Sequence, residues 1–166
     1  MSVFIDLQVR RALAAHLLTI GTASPSTEPN ERVIGLTPYG VTTTGNLQIV
    51  AGEMPTDMSQ SSSWVEAFLV KTPQFIRTPS EAGLSHKLYQ YSLWVKTIKD
   101  FGLHTNEAIC GAIEDHFPNN KHITVGDNVL TILKTYQQPI VVADNETGRL
   151  FNRVFIDCEI YYKNNN

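Results

Sequence analysis

The chain has 166 residues, a formal net charge of −3 at pH 7 and a pI near 5.9. This length suits one domain of roughly 150 residues, which can bury a sizeable core without stabilisation by a bound metal or by disulfide bonds. Charged residues make up 17% of the chain, against roughly 25% in typical soluble domains, and Arg10-Arg11 is the only adjacent basic pair. A slightly acidic chain without a basic cluster argues against a protein that binds the phosphate backbone of nucleic acid.

Two further classes of protein are excluded by pattern. No apolar run approaches the roughly 18 residues of a membrane-spanning helix. The first residues lack a basic region before an apolar stretch, so no secretory signal is predicted and we expect a cytosolic chain. Cys110 and Cys158 lie in apolar periodic segments without CxxC spacing. We therefore expect two buried thiols rather than a zinc site or a disulfide.

In the first part of the chain, apolar residues at helical spacing predict a helix over 3–20 that ends at Gly21: Ile5, Val9, Leu13, Leu17 and Ile20. Asp6 and Arg10 are placed to pair on its solvent side. A proline-containing loop is predicted over 22–32. Short strands are predicted over 33–36, where Pro38 and Gly40 break the pattern, and over 47–51.

The middle of the chain reads as two strands joined by a long connection. Residues 64–70 follow a serine-rich loop and are rich in aromatic and β-branched side chains, which predicts a buried strand. The connection over 72–85 contains Phe75, Ile76 and Arg77 between prolines, and compact domains rarely keep long loops without a role. The alternation over 86–97 predicts a strand with one apolar face.

The last part predicts a second helix and several hairpins. The helix is expected to begin near Thr105, whose hydroxyl would cap it, with Glu107 in the first turn and Pro118 ending it. Strands are expected over 123–125, 129–136, 140–143 and 151–162. The sequence therefore predicts an α+β fold, a single domain over 1–162 whose mostly antiparallel β-sheet is covered on one face by two α-helices. Residues 163–166 are expected to be a disordered tail.

The polar residues predict no chemistry. None of the five histidines belongs to an HxH or HExxH motif, and a metal site at His116 and His122 is less favoured than a His116 that interacts with a negative helix end. The serine run lacks a GxSxG elbow, and the glycines form no phosphate-binding loop. Asp157 and Glu159 share one face of a strand, where a solvated pair is expected. We therefore predict no catalytic, cofactor-binding or metal-binding residues.

Large apolar residues exceed what one core face needs. They lie on both faces of predicted strands and in the long connection: Trp64, Phe68, Phe75, Ile76, Phe151 and Phe155. Either helices and loops cover the two faces of the sheet, or a second copy of the chain buries part of this surface. For the second case, the candidate interface residues are Phe75, Ile76, Arg77 and Trp64.

The order of parts resembles the tail terminator proteins of long-tailed bacteriophages. The resemblance is carried by the helix around Val9 to Leu13, the strand over 64–70, and the segment Tyr89-Gln90-Tyr91-Ser92-Leu93-Trp94-Val95 leading into a helix that ends in His116-Phe117-Pro118. A hairpin around Gly126-Asp127 and a closing strand from Arg153 to Tyr162 complete it. The resemblance is best over 86–162, extends to 3–20 and is poor over 22–60.

The resemblance implies a structural virion protein, assembled in the host cytoplasm and located in the tail or neck of the particle. Such a subunit forms a ring, usually a hexamer, on the head-proximal end of the tail tube. The ring stops polymerisation of the tail tube protein and offers a surface to head-completion or neck proteins. DNA would pass through the lumen without specific binding, which suits a slightly acidic chain. No cofactor and no membrane contact are implied.

Two other functions stay open. A head-completion or neck connector on the portal side would have the same composition. A small enzyme whose site is assembled from distant residues would leave no mark in local patterns.

Overall fold

The computed structural model describes residues 2–20, 36–38, 47–51, 63–72, 84–98, 103–138, 142–144 and 149–163. These residues form two helices and eight strands: α1 (Ser2–Leu18), β1 (Leu36–Pro38), β2 (Leu47–Ala51), β3 (Trp64–Lys71), β4 (Leu84–Ile98), α2 (Leu103–His116), β5 (His122–Val125), β6 (Asn128–Gln137), β7 (Val142–Asp144) and β8 (Arg149–Lys163). The fold is α+β, as predicted.

One sheet contains all of the described strands. Its order is β1-β2-β3-β4-β8-β6-β5, and β7 pairs with β8 beside the end of β6. The pairings β1–β2 and β2–β3 are parallel, and the other five are antiparallel. The two longest strands, β4 and β8, pair along their whole length from Leu84–Lys163 to Ile98–Arg149. They form the central pair around which the rest of the sheet is built.

Both helices pack on the same face of the sheet. The alternating side chains of β4 and β8 point into this core, which also contains Ile5, Val9, Leu13 and Leu17 of α1 and Ile109, Ile113 and Phe117 from α2 and the residue after it. α1 contacts both β1 and β5, which lie at opposite edges of the sheet. The sheet therefore curls around α1. Neither helix in the described ranges is long and apolar enough to cross a lipid bilayer.

Two turns explain how the chain leaves α2 and enters the hairpin. Asn120 adopts a φ of 64° after Pro118, a conformation that asparagine tolerates better than most residues. Gly126 and Asp127 form the two-residue turn between β5 and β6, with a φ of 59° at Gly126 that favours glycine. The predicted Gly126-Asp127 hairpin is confirmed.

The start of α2 differs from the prediction. The helix begins at Leu103, so Thr105 lies inside its first turn and does not cap it. The Thr105 hydroxyl is buried and has no hydrogen-bond partner in the described ranges, and the first turn contains no acidic residue. The capping prediction was wrong. The sequence shows a threonine near the start of a helix, but it does not show whether that threonine precedes the first turn or lies within it.

Two strand ends also differ. The first short strand covers 36–38 rather than 33–36, and Pro38 is tolerated because β1 is an edge strand. Residues 33–35 lie outside the described ranges. β8 includes Lys163, which pairs with Leu84, whereas the sequence placed it in the tail.

Candidate interaction surfaces

The sheet face opposite the helices is lined by aromatic rings and charged groups. Register places Trp64, Lys96 and Phe151 in one row across β3, β4 and β8, and Glu66, Trp94 and Arg153 in the next. Phe68, Ser92, Phe155 and Tyr136 form a third row. This face therefore differs from the continuous apolar core on the other side of the same strands.

Glu66, in the second row, binds two residues of the first row. Its carboxylate oxygen Oε1 accepts hydrogen bonds from the indole Nε1 of Trp64 at 2.9 Å and from Nζ of Lys96 at 3.0 Å. Glu66 is 6% exposed, so the two donors compensate a carboxylate held away from water. Trp64 itself is 3% exposed, and the Arg149 guanidinium lies 4.5 Å from its ring centroid. Trp64 is thus enclosed by its own chain, and a role for it between copies stays a prediction.

Arg153 lies flat against Trp94. The guanidinium carbon is 3.5 Å from the centroid of the Trp94 ring and 5.5 Å from that of Phe155. Burial lowers the pKa of Arg153, and its Nε has no hydrogen-bond partner among the described residues. Trp94 also stacks on Phe151, and Tyr136 on Phe155. Ring contacts therefore add to the hydrogen bonds of this face.

The other predicted interface residues cannot be placed. Phe75, Ile76 and Arg77 lie in 73–83, outside the described ranges.

The outer side of α1 carries a stripe at four-residue spacing. Leu7, Arg11 and Ala15 are exposed, with Leu7 at 39%, and Arg10 is exposed beside them. Residues four apart lie on one face of a helix, so these side chains form a continuous ridge. The sequence placed Asp6 with Arg10 on this side, and that prediction was wrong. Its carboxylate instead faces the sheet.

The outer side of α2 carries a matching stripe with the opposite charge. Leu103, Glu107 and Asp115 are exposed, with Leu103 at 45%, and Gly111 lies between Glu107 and Asp115. Outside its own helix, a Cβ added at Gly111 would meet no atom of the described residues within 4 Å. Glycine in a helix interior costs about 1 kcal/mol relative to alanine, and nothing packed against it in the described ranges requires it here. Gly111 was not among the predicted interface residues, although a glycine inside the periodic pattern of a helix is a signal that could have identified it.

A polar cluster joins α1 to the sheet. Asp6 accepts hydrogen bonds from Nζ of Lys87 at 3.0 Å and from the Tyr89 hydroxyl at 2.5 Å, and it forms an ion pair with Lys71 at 2.5 Å. Burial alone would raise the pKa of Asp6, but the bonds from Lys71, Tyr89 and Lys87 outweigh it and lower the pKa to about 2. Burial raises the pKa of Tyr89, and Asp6 raises it further. The cluster fixes the N-terminal half of α1.

Two histidines join the C-terminal ends of the helices. The rings of His16 and His116 stack with centroids 4.3 Å apart. Each Nε2 lies within hydrogen-bond distance of the other residue's carbonyl oxygen, at 3.0 Å for His16 and 2.8 Å for His116. A carbonyl only accepts, so the tautomer with the proton on Nε2 satisfies both contacts; Nε2 of His116 also lies 2.9 Å from the Thr19 hydroxyl. His116 is thus engaged with α1 rather than with His122, and no group of three potential metal ligands occurs in the described ranges.

Both cysteines are buried free thiols. Burial raises the pKa of Cys110 and of Cys158 to about 12. The Cys110 thiol donates a weak hydrogen bond to Oδ1 of Asn106 at 3.9 Å. The prediction of two buried thiols is confirmed. Thiolate chemistry near neutral pH is disfavoured at both positions.

Comparison with known proteins informs the fold only. No family model matches the chain, and no curated protein matches it. A solved structure whose name states no function aligns over 95% of this chain and 96% of its own, with a TM-score of 0.55 and 10% identity. At that identity the likeness extends to the fold and not to a function.

Proposed function

We propose that this chain is a tail terminator subunit of a long-tailed bacteriophage. It would form a ring on the head-proximal end of the tail tube, stop addition of tail tube protein and present a surface to head-completion or neck proteins. The role is steric and interfacial, with no reacting group and no cofactor. Its place of action would be the tail or neck of the virion.

The order of elements supports this proposal. The described chain includes, in this order, α1, β3, β4, α2, the β5–β6 hairpin and β8, which are the parts on which the resemblance rests; β1, β2 and β7 lie between them and are not part of it. β4 leads into α2 within a few residues, and α2 ends directly before Phe117-Pro118. This order is the observation that carries the proposal.

Surface composition supports a protein that acts by contact. Large apolar side chains are exposed on helices and strands alike: Leu7, Val70, Leu103, Val129, Leu133 and Tyr161. They lie on α1, α2, β3, β6 and β8. Ring subunits need contacts on more than one side, because each copy meets two neighbours and a tube.

The test uses tail tubes assembled from the tail tube protein of the phage to which the proposal assigns this chain. With the wild-type chain added, electron microscopy should show tubes of restricted length, each with a ring density at one end. Without it, tubes should grow longer and lack that density. Particles labelled through a tag on this chain locate it in the virion.

Three results would overturn the proposal. Tube lengths that do not respond to the chain would remove the stopping role. A label on the portal side of the neck, away from the tube, would indicate a connector instead. Turnover of a small molecule that one polar substitution abolishes would indicate an enzyme.

A further inference from the structure

We propose that the outer stripe of α1 in one copy packs against the outer stripe of α2 in a second copy. The α1 stripe is Leu7, Arg11 and Ala15, and the α2 stripe is Leu103, Glu107, Gly111 and Asp115. This contact rests on the proposed ring, because it supplies the subunit interface that the ring requires. The occupant of each helix face is another copy of this chain.

Charge is the first argument. The exposed ionisable groups on the outer side of α1 are two arginines, Arg10 and Arg11, because Asp6 is engaged with the sheet. The corresponding side of α2 carries Glu107 and Asp115, with Glu114 beside them. Complementary charge on two faces of one chain favours contact between copies and disfavours contact of like faces.

The order of residues along the two stripes is the second argument. Each begins with an exposed leucine, continues with a charged residue and then reaches a small one. With the helices running in the same direction, Leu7 meets Leu103, Arg11 meets Glu107 and Ala15 meets Gly111. Ridges built from residues four apart interdigitate in the commonest class of helix packing.

Gly111 is the third argument. A glycine inside a helix lowers helix stability, and in the part of the chain that the structure describes no atom beyond its two chain neighbours and its own helix backbone lies within 4 Å of the Cβ it lacks. The missing side chain leaves a shallow gap between Glu107 and Asp115. Small residues at a crossing let two helices approach closely, and Ala15 is small enough to enter that gap.

A heterologous contact of this type uses two different faces of the same subunit. Each copy can then give α1 to one neighbour and α2 to the other, and such a series closes into a ring when its rotation allows.

The first experiment is cross-linking of two separate variants of the full chain. Ala15→Cys and Gly111→Cys proteins are mixed and treated with a short bismaleimide. The native cysteines are buried, so the introduced thiols should react first. We expect a mixed dimer, and we expect little product when Leu133→Cys, exposed at a bulge in β6, replaces Ala15→Cys. Equal yields in the two mixtures would overturn the inference.

The second experiment reverses charge. Arg11→Glu alone and Glu107→Arg alone should each weaken association by about tenfold or more, measured by sedimentation or by the cross-linking yield. The double variant restores the opposite charges and should recover most of the loss. Failure of the double variant to recover, while each single variant stays folded, would contradict the pairing of Arg11 with Glu107.

The third experiment separates assembly from folding. Gly111→Gln should raise Tm, because glutamine is a better helix former and its Cβ would meet no described atom outside the helix. The same change should block the approach of Ala15 and reduce association. A variant that is more stable and assembles normally would contradict the close crossing.

Outcomes for this contact and for the proposed function are distinguishable. Rings that form on tail tubes regardless of these substitutions would leave the terminator role standing and overturn the α1–α2 contact. Head-to-tail oligomers that depend on Arg11 and Glu107 but never bind tubes would support the contact and overturn the terminator role.

Discussion

The two faces of the sheet use the same strands for different purposes. On the helix-covered face, alternate residues of β8 from Val154 to Ile160 are fully buried and apolar. On the opposite face, the residues between them carry rings and charges, such as Arg153 on Trp94. Burial of aliphatic side chains is non-directional, whereas ring stacking and ion pairing depend on geometry. The first face therefore supplies most of the stability, and the second adds contacts that tolerate partial exposure.

The largest expected effect comes from the covered face. Ile156→Ala removes a fully buried side chain opposite Tyr91 and should lower the free energy of unfolding by about 2–5 kcal/mol. The matched control on the other face is Val129→Ala, since Val129 is 49% exposed and should change it by less than about 1 kcal/mol. Urea unfolding monitored by tryptophan fluorescence measures both. Equal effects would contradict the assignment of the core to one face.

The helix-covered face could be predicted from the sequence because its residues follow a local periodic pattern. Alternation in β4 and β8 reports which residues share a face, and four-residue spacing in α1 reports the buried stripe, so both followed from the chain alone. The partners of Asp6 could not be predicted in this way, because Lys71, Lys87 and Tyr89 are distant from it in sequence. Periodicity gives a residue's side of an element but not the element that covers it. The same limit hid the contact of His16 with His116 and the ring partner of Arg153.

The cluster at Asp6 predicts acid sensitivity. The pKa of Asp6 is about 2 in the folded chain against an ordinary value of 3.8, so the folded state binds this proton less readily than the unfolded state. Ionised Asp6 therefore contributes about 2 kcal/mol to the free energy of unfolding. This contribution is present above pH 3.8 and is lost as the pH falls through about 2. Asp6→Asn should remove this part of the pH dependence in acid titrations of unfolding. Asp127→Asn, in the exposed hairpin turn, should leave it unchanged.

The ion pair on the opposite face predicts a smaller loss. Glu66→Gln keeps an acceptor for the Trp64 indole but removes the charge that faces Lys96, whose side chain is 24% exposed. Because water screens part of that charge, the free energy of unfolding should fall by about 1 kcal/mol. Glu66→Leu removes both bonds and should cost more. A double-mutant cycle with Lys96→Met measures the pair itself, and a coupling of zero would show that Glu66 stabilises only through Trp64.

The smallest expected effect lies where the two helices meet. Burial lowers the pKa of His16 from its ordinary value of 6.5, the carbonyl of His116 opposes this shift, and the charges of His116 and Lys121 add to it. The unfolded chain therefore takes up a proton on His16 at a higher pH than the folded chain does. Stability from this group is complete above pH 6.5 and declines below it, as protonation brings a charge beside the stacked His116 ring. His16→Gln, whose amide can still donate to a carbonyl, should flatten the stability profile below pH 6.5, while His122→Gln at an exposed position should not. If both variants follow the wild-type profile, the stacked histidines act only as packing, and α1 is held against α2 by contacts that do not titrate.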